Sequence, residues 1–308
     1  MTFTSGNHNG SATLLTMLMA AVIVTVGIGF NWLVKEHMKA SEGLRNKAEA
    51  ILKVRSAYDT LIYLLLNGQV SQREIIMAIG NEITELKTLP LNGQKVPLSD
   101  GLYVQIRESS GMLSLVSMNT AAMERLIKKV GGLDNGSGLI SSYLDWIDED
   151  NFSRVNGAEE FYYRGQGLPY VPRNYAIQYK DEFELIKGMN RELYGKIEPY
   201  LTMLPSIGFN PNTASDEVLM AYLDINEESL KALKDYMSKK AVSSDIELFA
   251  LTGRKIASDI EGVYFFPSPF IEVTVSAGSP RSIYTIRAGL DTRQNISSPY
   301  GILYWREE

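Results

Sequence analysis

The densest run of chemically capable side chains lies mid-chain, at Asp145-Trp146-Ile147-Asp148-Glu149-Asp150-Asn151, and continues through Asn156-Gly157-Ala158-Glu159-Glu160. These residues offer oxygen and little else, which suits a hard cation such as calcium, with its preference for about six to eight oxygen ligands. Counted from Asp148, Asp150 falls at the third position of a calcium loop, Asn156 at the ninth and Glu159 at the twelfth. Phe152 stands where an EF-hand needs a fifth-position oxygen and Ser153 where it needs the turn glycine, so this is not an EF-hand. The loop is still rich enough in oxygen to bind calcium, with backbone carbonyls completing the shell. The competing reading is a solvated acidic loop held by Arg154 or Arg164. Asp145, Asp148, Asp150 and Glu159 also raise the possibility of an acid/base hydrolase, but that chemistry needs a defined carboxylate separation.

Other chemistries are closed by composition. The 308-residue chain has no cysteine and two histidines, His8 and His37, so residues 38–308 hold neither. That removes Ser-His-Asp and Cys-His catalysis and histidine- or thiolate-bound zinc. A formal charge of −6 gives no electrostatic footprint for nucleic acid. No enzyme activity is expected.

The elements that must position the loop follow from periodicity. Leu139, Ile140, Tyr143, Leu144 and Ile147 form a buried helical stripe, so the acidic run begins where a helix over 138–147 ends. Carboxylates at a helix C-terminus oppose its dipole and call for a compensating cation. An internal echo, Asn119-Thr120-Ala121 with Leu126 and Asn212-Thr213-Ala214 with Leu219, suggests paired capped helices, the second pair including 226–238. Alternation of period two marks strands on either side of this helical region. Leu102, Val104 and Ile106 alternate with polar neighbours and read as a hairpin with 112–116; Ile271, Val273 and Val275, then Tyr284, Ile286 and Ala288, form a second set. A run over 302–305 could add a strand. One antiparallel sheet uniting both sets is expected, with residues ~118–265 inserted between them.

The start of the chain has its own character. Residues 11–34 carry no charge, and such a helix, at ~1.5 Å per residue, is long enough to cross a ~30 Å hydrocarbon layer. Gly10 precedes the apolar run, the reverse of a secretory signal, whose cleavage site follows the apolar core. Helical spacing continues through Leu44, Ala48, Ile51, Leu52, Tyr58, Ile62 and Leu65 to Asn67-Gly68, which makes one helix over 11–66 possible, with Gly27, Gly29 and Gly43 as weak points. A second helix is expected over 72–87.

Taken together, Gly10-Ser11 with its apolar helix, Asp145-Trp146-Ile147-Asp148-Glu149-Asp150, Gly157-Ala158-Glu159, Tyr162, Pro172-Arg173-Asn174, Glu184-Leu185 with Gly188, and Asn210-Pro211-Asn212-Thr213-Ala214 resemble the K-type minor pseudopilins of type II secretion. The resemblance implies an α+β fold: a long N-terminal transmembrane helix packed on a small antiparallel pilin-like sheet, carrying a large SAM-like all-helical insertion. It divides the chain into a leader (1–10), a transmembrane helix (11–34), a first pilin-like part (35–117), a helical insertion (118–265) and C-terminal strands (266–308). It further implies cleavage between Gly10 and Ser11 by a prepilin peptidase, methylation of the new amine, and calcium held by Asp148, Asp150 and Glu159, with Asn156 and Glu160 adjacent.

Leu15, fifth after the cut, replaces the glutamate most pilins carry. An unpaired carboxylate in lipid is costly and usually meets the amino terminus of a neighbouring subunit, so its absence fits a filament tip. The leader lacks the usual Lys or Arg, and Lys35 and Lys39 follow the apolar run. The expected function is priming and capping of the pseudopilus with I- and J-type minor pseudopilins on the inner-membrane secretion platform, the soluble part lying in the periplasm. The alternative is a minor pilin of a related type IV pilus or DNA-uptake machine with a nucleic-acid-binding insertion. The segment Leu223-Asp224-Ile225-Asn226-Glu227-Glu228 is acidic and lacks the glycines with which helical hairpins grip phosphate.

Overall fold

The computed structural model describes residues 9–77, 86–133, 136–254, 262–279, 282–293 and 298–308, so residues 1–8 of the expected leader lie outside the described residues. Helix α1 (Asn9–Asn67) runs unbroken for 59 residues, roughly 88 Å at the usual rise, passing through Gly27, Gly29 and Gly43. Its first half is exposed and apolar from Leu14 to Val34; its second half buries Ala50, Val54, Ala57, Tyr58, Leu61 and Leu65. The helix stops at Gly68, whose N–H bonds Leu64 O at 2.9 Å. A Cβ there would overlap Ile75, so the bare backbone lets the next strand fold back closely.

After α1 come β1 (Gln69–Val70), β2 (Glu74–Ile76), β3 (Thr88–Pro90), β4 (Val96–Ser99), β5 (Leu102–Glu108) and β6 (Leu113–Ser114). The inserted region contributes α2 (Thr120–Gly131), α3 (Gly136–Ile147), α4 (Glu160–Gly165), α5 (Arg191–Ile197), β7 (Leu201–Thr202), α6 (Asp216–Leu223), α7 (Glu227–Met237) and α8 (Asp245–Thr252). The chain ends in β8 (Phe270–Ser279), β9 (Ser282–Asp291) and β10 (Gly301–Glu307). The principal sheet has the order β10-β9-β8-β5-β4, all neighbours antiparallel. Val104, Ile106, Val273, Val275, Ile286 and Ala288 point from it onto α1, as period-two alternation requires of a sheet with one covered face.

Two expectations are corrected. In place of a helix over 72–87, the described part of that stretch holds β2 and the approach to β3, paired antiparallel; 78–85 lies outside the described residues. Ile75, Met77, Leu89 and Leu91 are buried by this arrangement. Nor does 112–116 form a hairpin with β5. A 3-10 turn over Ser109–Gly111, capped by Glu108, redirects the chain, and β6 pairs in parallel with β7. The place beside β5 is taken by β8, in register from Leu102↔Ala277 to Glu108↔Ile271.

The inserted region has two apolar clusters. One gathers Met123, Leu126, Leu139, Tyr143, Trp146, Tyr163 and Phe183; the other gathers Phe209, Val218, Leu219, Leu233, Val242 and Leu248. Asn119 caps α2 through Ala122 N at 2.9 Å. The matching cap of α6 is Ser215 rather than Asn212 or Thr213. Asn212 instead exchanges two bonds with the backbone of Val242 (2.8 and 2.9 Å), so the sequence echo does not extend to a shared capping role.

Both chain crossings into the inserted region meet at Glu108, which is 1% exposed. Its carboxylate accepts from Ser110 N and Ser268 N, each at 2.9 Å, and from the Thr213 hydroxyl. Burial raises its pKa despite these donors.

Candidate metal centre

Asp145 sits in the last turn of α3, fully buried, one turn beyond the buried Ser142 and on a different side of the helix from Tyr143. Beyond it the chain turns back: Gly157 N bonds Arg154 O at 2.9 Å, and Asp145 accepts from Arg154 N (3.1 and 3.2 Å) and from Ser153 Oγ (3.3 Å). The turn presses so closely that a Cβ on Gly157 would overlap Asp145 Oδ2. Glu159 follows in extended conformation at the N-cap of α4, yet its side chain makes no capping bond. Asp145, Asp148 and Glu159 therefore converge, each with a carboxylate oxygen within 4.8 Å of the others.

Charge within this cluster is unevenly met. Arg154 Nη1 bridges Asp145 Oδ1, at 2.8 Å, and Asp148 Oδ2. These bonds raise the guanidinium pKa further. Glu159 is 4% exposed and neither of its oxygens has a hydrogen-bond partner; Asp148 Oδ1 is likewise buried and unpartnered. Burial, reinforced by Asp145, Asp148 and Asp150, pushes the Glu159 carboxyl up to about 7. Unpaired buried carboxylate oxygens are costly unless a proton or a cation meets them. An oxygen-only donor set, three orphaned carboxylate oxygens on Glu159 and Asp148, and a glycine cradle fit a hard cation.

The other expected ligands lie elsewhere. Asp150 is exposed, its Oδ1 accepting from Phe152 N at 2.8 Å. Asn156 is exposed in left-handed conformation (φ 65°), and Glu160 pairs with Arg164 at 2.5 Å. Lys187 Nζ bonds the carbonyls of Asn156 (3.2 Å) and Gly157 (2.9 Å). Asp145 enters the cluster as a carboxylate that the loop count, started at Asp148, excluded. Its signal was a carboxylate one turn before Asp148, on the Ser141–Ser142 side of a helix whose other side is apolar.

A neighbouring network holds the loop against the core. Glu182, buried beside the loop, receives Trp146 Nε1 (2.9 Å), Arg173 Nε and Nη2 (2.5 and 3.0 Å) and Gln178 N (3.1 Å). Burial alone would raise its pKa, but these donors bring it below the usual value. Next to Arg173, Asn174 bonds Trp146 O at 3.0 Å through its N–H and Asp150 O at 3.1 Å through its side chain, tying the end of α3 to the acidic loop.

The motif text that surrounds this centre is also where similarity to known proteins concentrates. The family described as "Type II secretion system (T2SS), protein K" matches residues 109–206. Type II secretion system protein K of Pectobacterium carotovorum subsp. carotovorum is 23% identical over 254 residues, 76% of this chain and 75% of that protein. The Aeromonas hydrophila protein K is 27% identical over 211 residues, 63% of this chain and 62% of its own length. The chain is similar to the type II secretion protein K family. These matches support a minor pseudopilin of type II secretion. The fold agrees: a crystal structure of the GspK-GspI-GspJ complex of enterotoxigenic Escherichia coli superposes with a TM-score of 0.61 at 16% identity, covering 87% of this chain and 99% of that one. In this chain α1 is long and apolar enough to serve as a single-pass membrane anchor.

Proposed function

We propose that this protein primes and caps the pseudopilus as its single tip subunit, joined to I- and J-type minor pseudopilins, with an inner-membrane anchor and a periplasmic soluble part. The observation that carries this reading is the inserted region between two neighbouring strands, β5 and β8. About 150 residues of extra protein on one face of a thin filament subunit obstruct repetition, and the apolar Leu15 removes the carboxylate used for repeated stacking. Processing between Gly10 and Ser11, with methylation of the new amine, belongs to the same proposal. The role is structural rather than enzymatic. Calcium is its proposed cofactor, held by Asp145, Asp148 and Glu159 and supplying the positive charge that their buried oxygens lack. The I and J partners are supported by the composition of the complex whose K subunit shares this fold.

Mixing full-length protein in detergent with I- and J-type partners and measuring mass by light scattering tests the tip assignment. One copy of the chain per hetero-complex is expected. Long homopolymers, or folded protein that binds neither partner, would refute it.

A further inference from the structure

Arg154 occupies the place between the carboxylates where the proposed calcium would be most strongly attracted. It enters from the rim, its side chain 41% exposed, while Asp145 is 0% and Asp148 23% exposed. Its single Nη1 serves both of those carboxylates, and its backbone N–H serves Asp145 as well. Glu159 receives nothing from it. One positive charge therefore faces three carboxylates, and the guanidinium leaves both buried oxygens of Glu159 unserved. A divalent cation carries twice the charge and accepts oxygens from every side, so it meets the cluster better than a planar donor can. The same carboxylate oxygens cannot serve both.

We propose that Arg154 is a built-in competitor for the cation site: it holds Asp145 and Asp148 when calcium is scarce, and calcium binds by displacing its side chain toward solvent. This rests on the calcium reading above. The half-exposed position of Arg154 gives the displaced guanidinium a path to water, while the Arg154 N–H, fixed by the Gly157 turn, stays on Asp145. Occupancy by an internal cation lowers apparent calcium affinity in proportion to the fraction of molecules in the paired state. The binding threshold is thereby set by a residue of the chain itself. Stability is set the same way, because without either cation Asp145 is an uncompensated buried charge.

The test titrates calcium chloride into the full-length protein in detergent by calorimetry, with melting followed in calcium and in chelator. Arg154→Gln should bind calcium roughly tenfold more tightly than the wild type, the factor expected for losing two partly exposed ion pairs. It should melt lower than wild type in chelator and gain more on adding calcium. Arg164→Gln, which removes an exposed charge paired with Glu160, controls for a general field effect and should leave affinity near the wild-type value. In the wild type, calcium should raise the reactivity of Arg154 toward phenylglyoxal, mapped by mass spectrometry, a readout that requires no variant to fold. Equal or weaker binding by Arg154→Gln, an equal gain from Arg164→Gln, or unchanged Arg154 reactivity on calcium saturation would each overturn the competition. Asp148→Asn and Glu159→Gln separate the two readings. If the wild type binds calcium and these variants lose it while Arg154→Gln gains nothing, competition alone falls. If neither wild type nor Arg154→Gln binds calcium, the calcium reading falls with it.

Discussion

Three buried glutamates show how differently one residue type is handled in this chain. Glu182 is paired with Arg173 and bonded by Trp146, and is held ionised. Glu159 has no hydrogen-bond partner among the described residues, which is what the calcium proposal rests on. Glu108 lies between these cases, at the neck, where neutral donors meet it without a counter-charge. Because burial raises the folded-state pKa of Glu108 above its ordinary 4.5, the folded state binds its proton more tightly than the unfolded state. Stability from this group is greatest below that ordinary value and is lost as pH rises through the folded pKa. Glu108→Gln keeps an acceptor for the backbone N–H groups but cannot ionise. Its melting temperature should therefore improve relative to wild type as pH rises above 4.5. Thermal melts of both proteins from acid to neutral pH measure this, and parallel curves would show that Glu108 does not titrate differently on folding.

At the scale of elements, legibility followed length and facing. The alternation of β5, β8 and β9 could be read because each of these strands has one face in the core shared with α1 and is long enough to show its period. Strand β2, three residues long, shows no period, and its isoleucines fit a helical stripe equally well. The β6–β7 pair joins segments almost 90 residues apart with two residues each, a parallel contact that no local pattern encodes. Asp145 was hidden for a related reason: its helical position was legible, whereas the turn at Gly157 that brings Glu159 back beside it is a tertiary fact. Another tertiary contact explains Gly289 in β9. Tyr304 of β10 lies across it, bonding Glu272 at 2.5 Å, and a Cβ on Gly289 would overlap the Tyr304 ring and stand 2.7 Å from Leu204 of the inserted region. Gly289→Ala should lift β10 and cost about 1–3 kcal/mol, as overpacking usually does. Urea denaturation of the full chain gives the value; a cost near zero would mean that Tyr304 moves aside freely.

For the whole molecule, the geometry of the neck bears on how separable the two halves are. β5 and β8 are already neighbours, and Ser109 Oγ lies 3.0 Å from Ser268 Oγ. A short turn between those serines would close β5 and β8 into a hairpin without changing the sheet register. Excising 110–267 in this way removes the metal centre and both insert clusters but leaves the α1–sheet core of Val54, Leu61, Val104, Val273 and Ile286. Contacts across the neck would be lost as well, including the Arg107–Pro199 carbonyl bond at 2.8 Å and the Arg306–Asp181 pair at 3.6 Å. These are few beside the sheet and helix that remain, so the shortened chain should fold, keep binding the I- and J-type partners and lose calcium-dependent stabilisation. It also separates the two features assigned to the tip. If bulk alone prevents repetition, the shortened chain will polymerise by itself. We expect instead that it stays unpolymerised until Leu15→Glu is added, because removing bulk does not restore the charge that meets a neighbouring amino terminus. Electron microscopy of the two shortened chains, with Leu15 and with Leu15→Glu, each co-expressed with the prepilin peptidase, distinguishes these outcomes. Filaments from the shortened chain alone would assign the single-copy behaviour to the inserted region and leave Leu15 without a role in position.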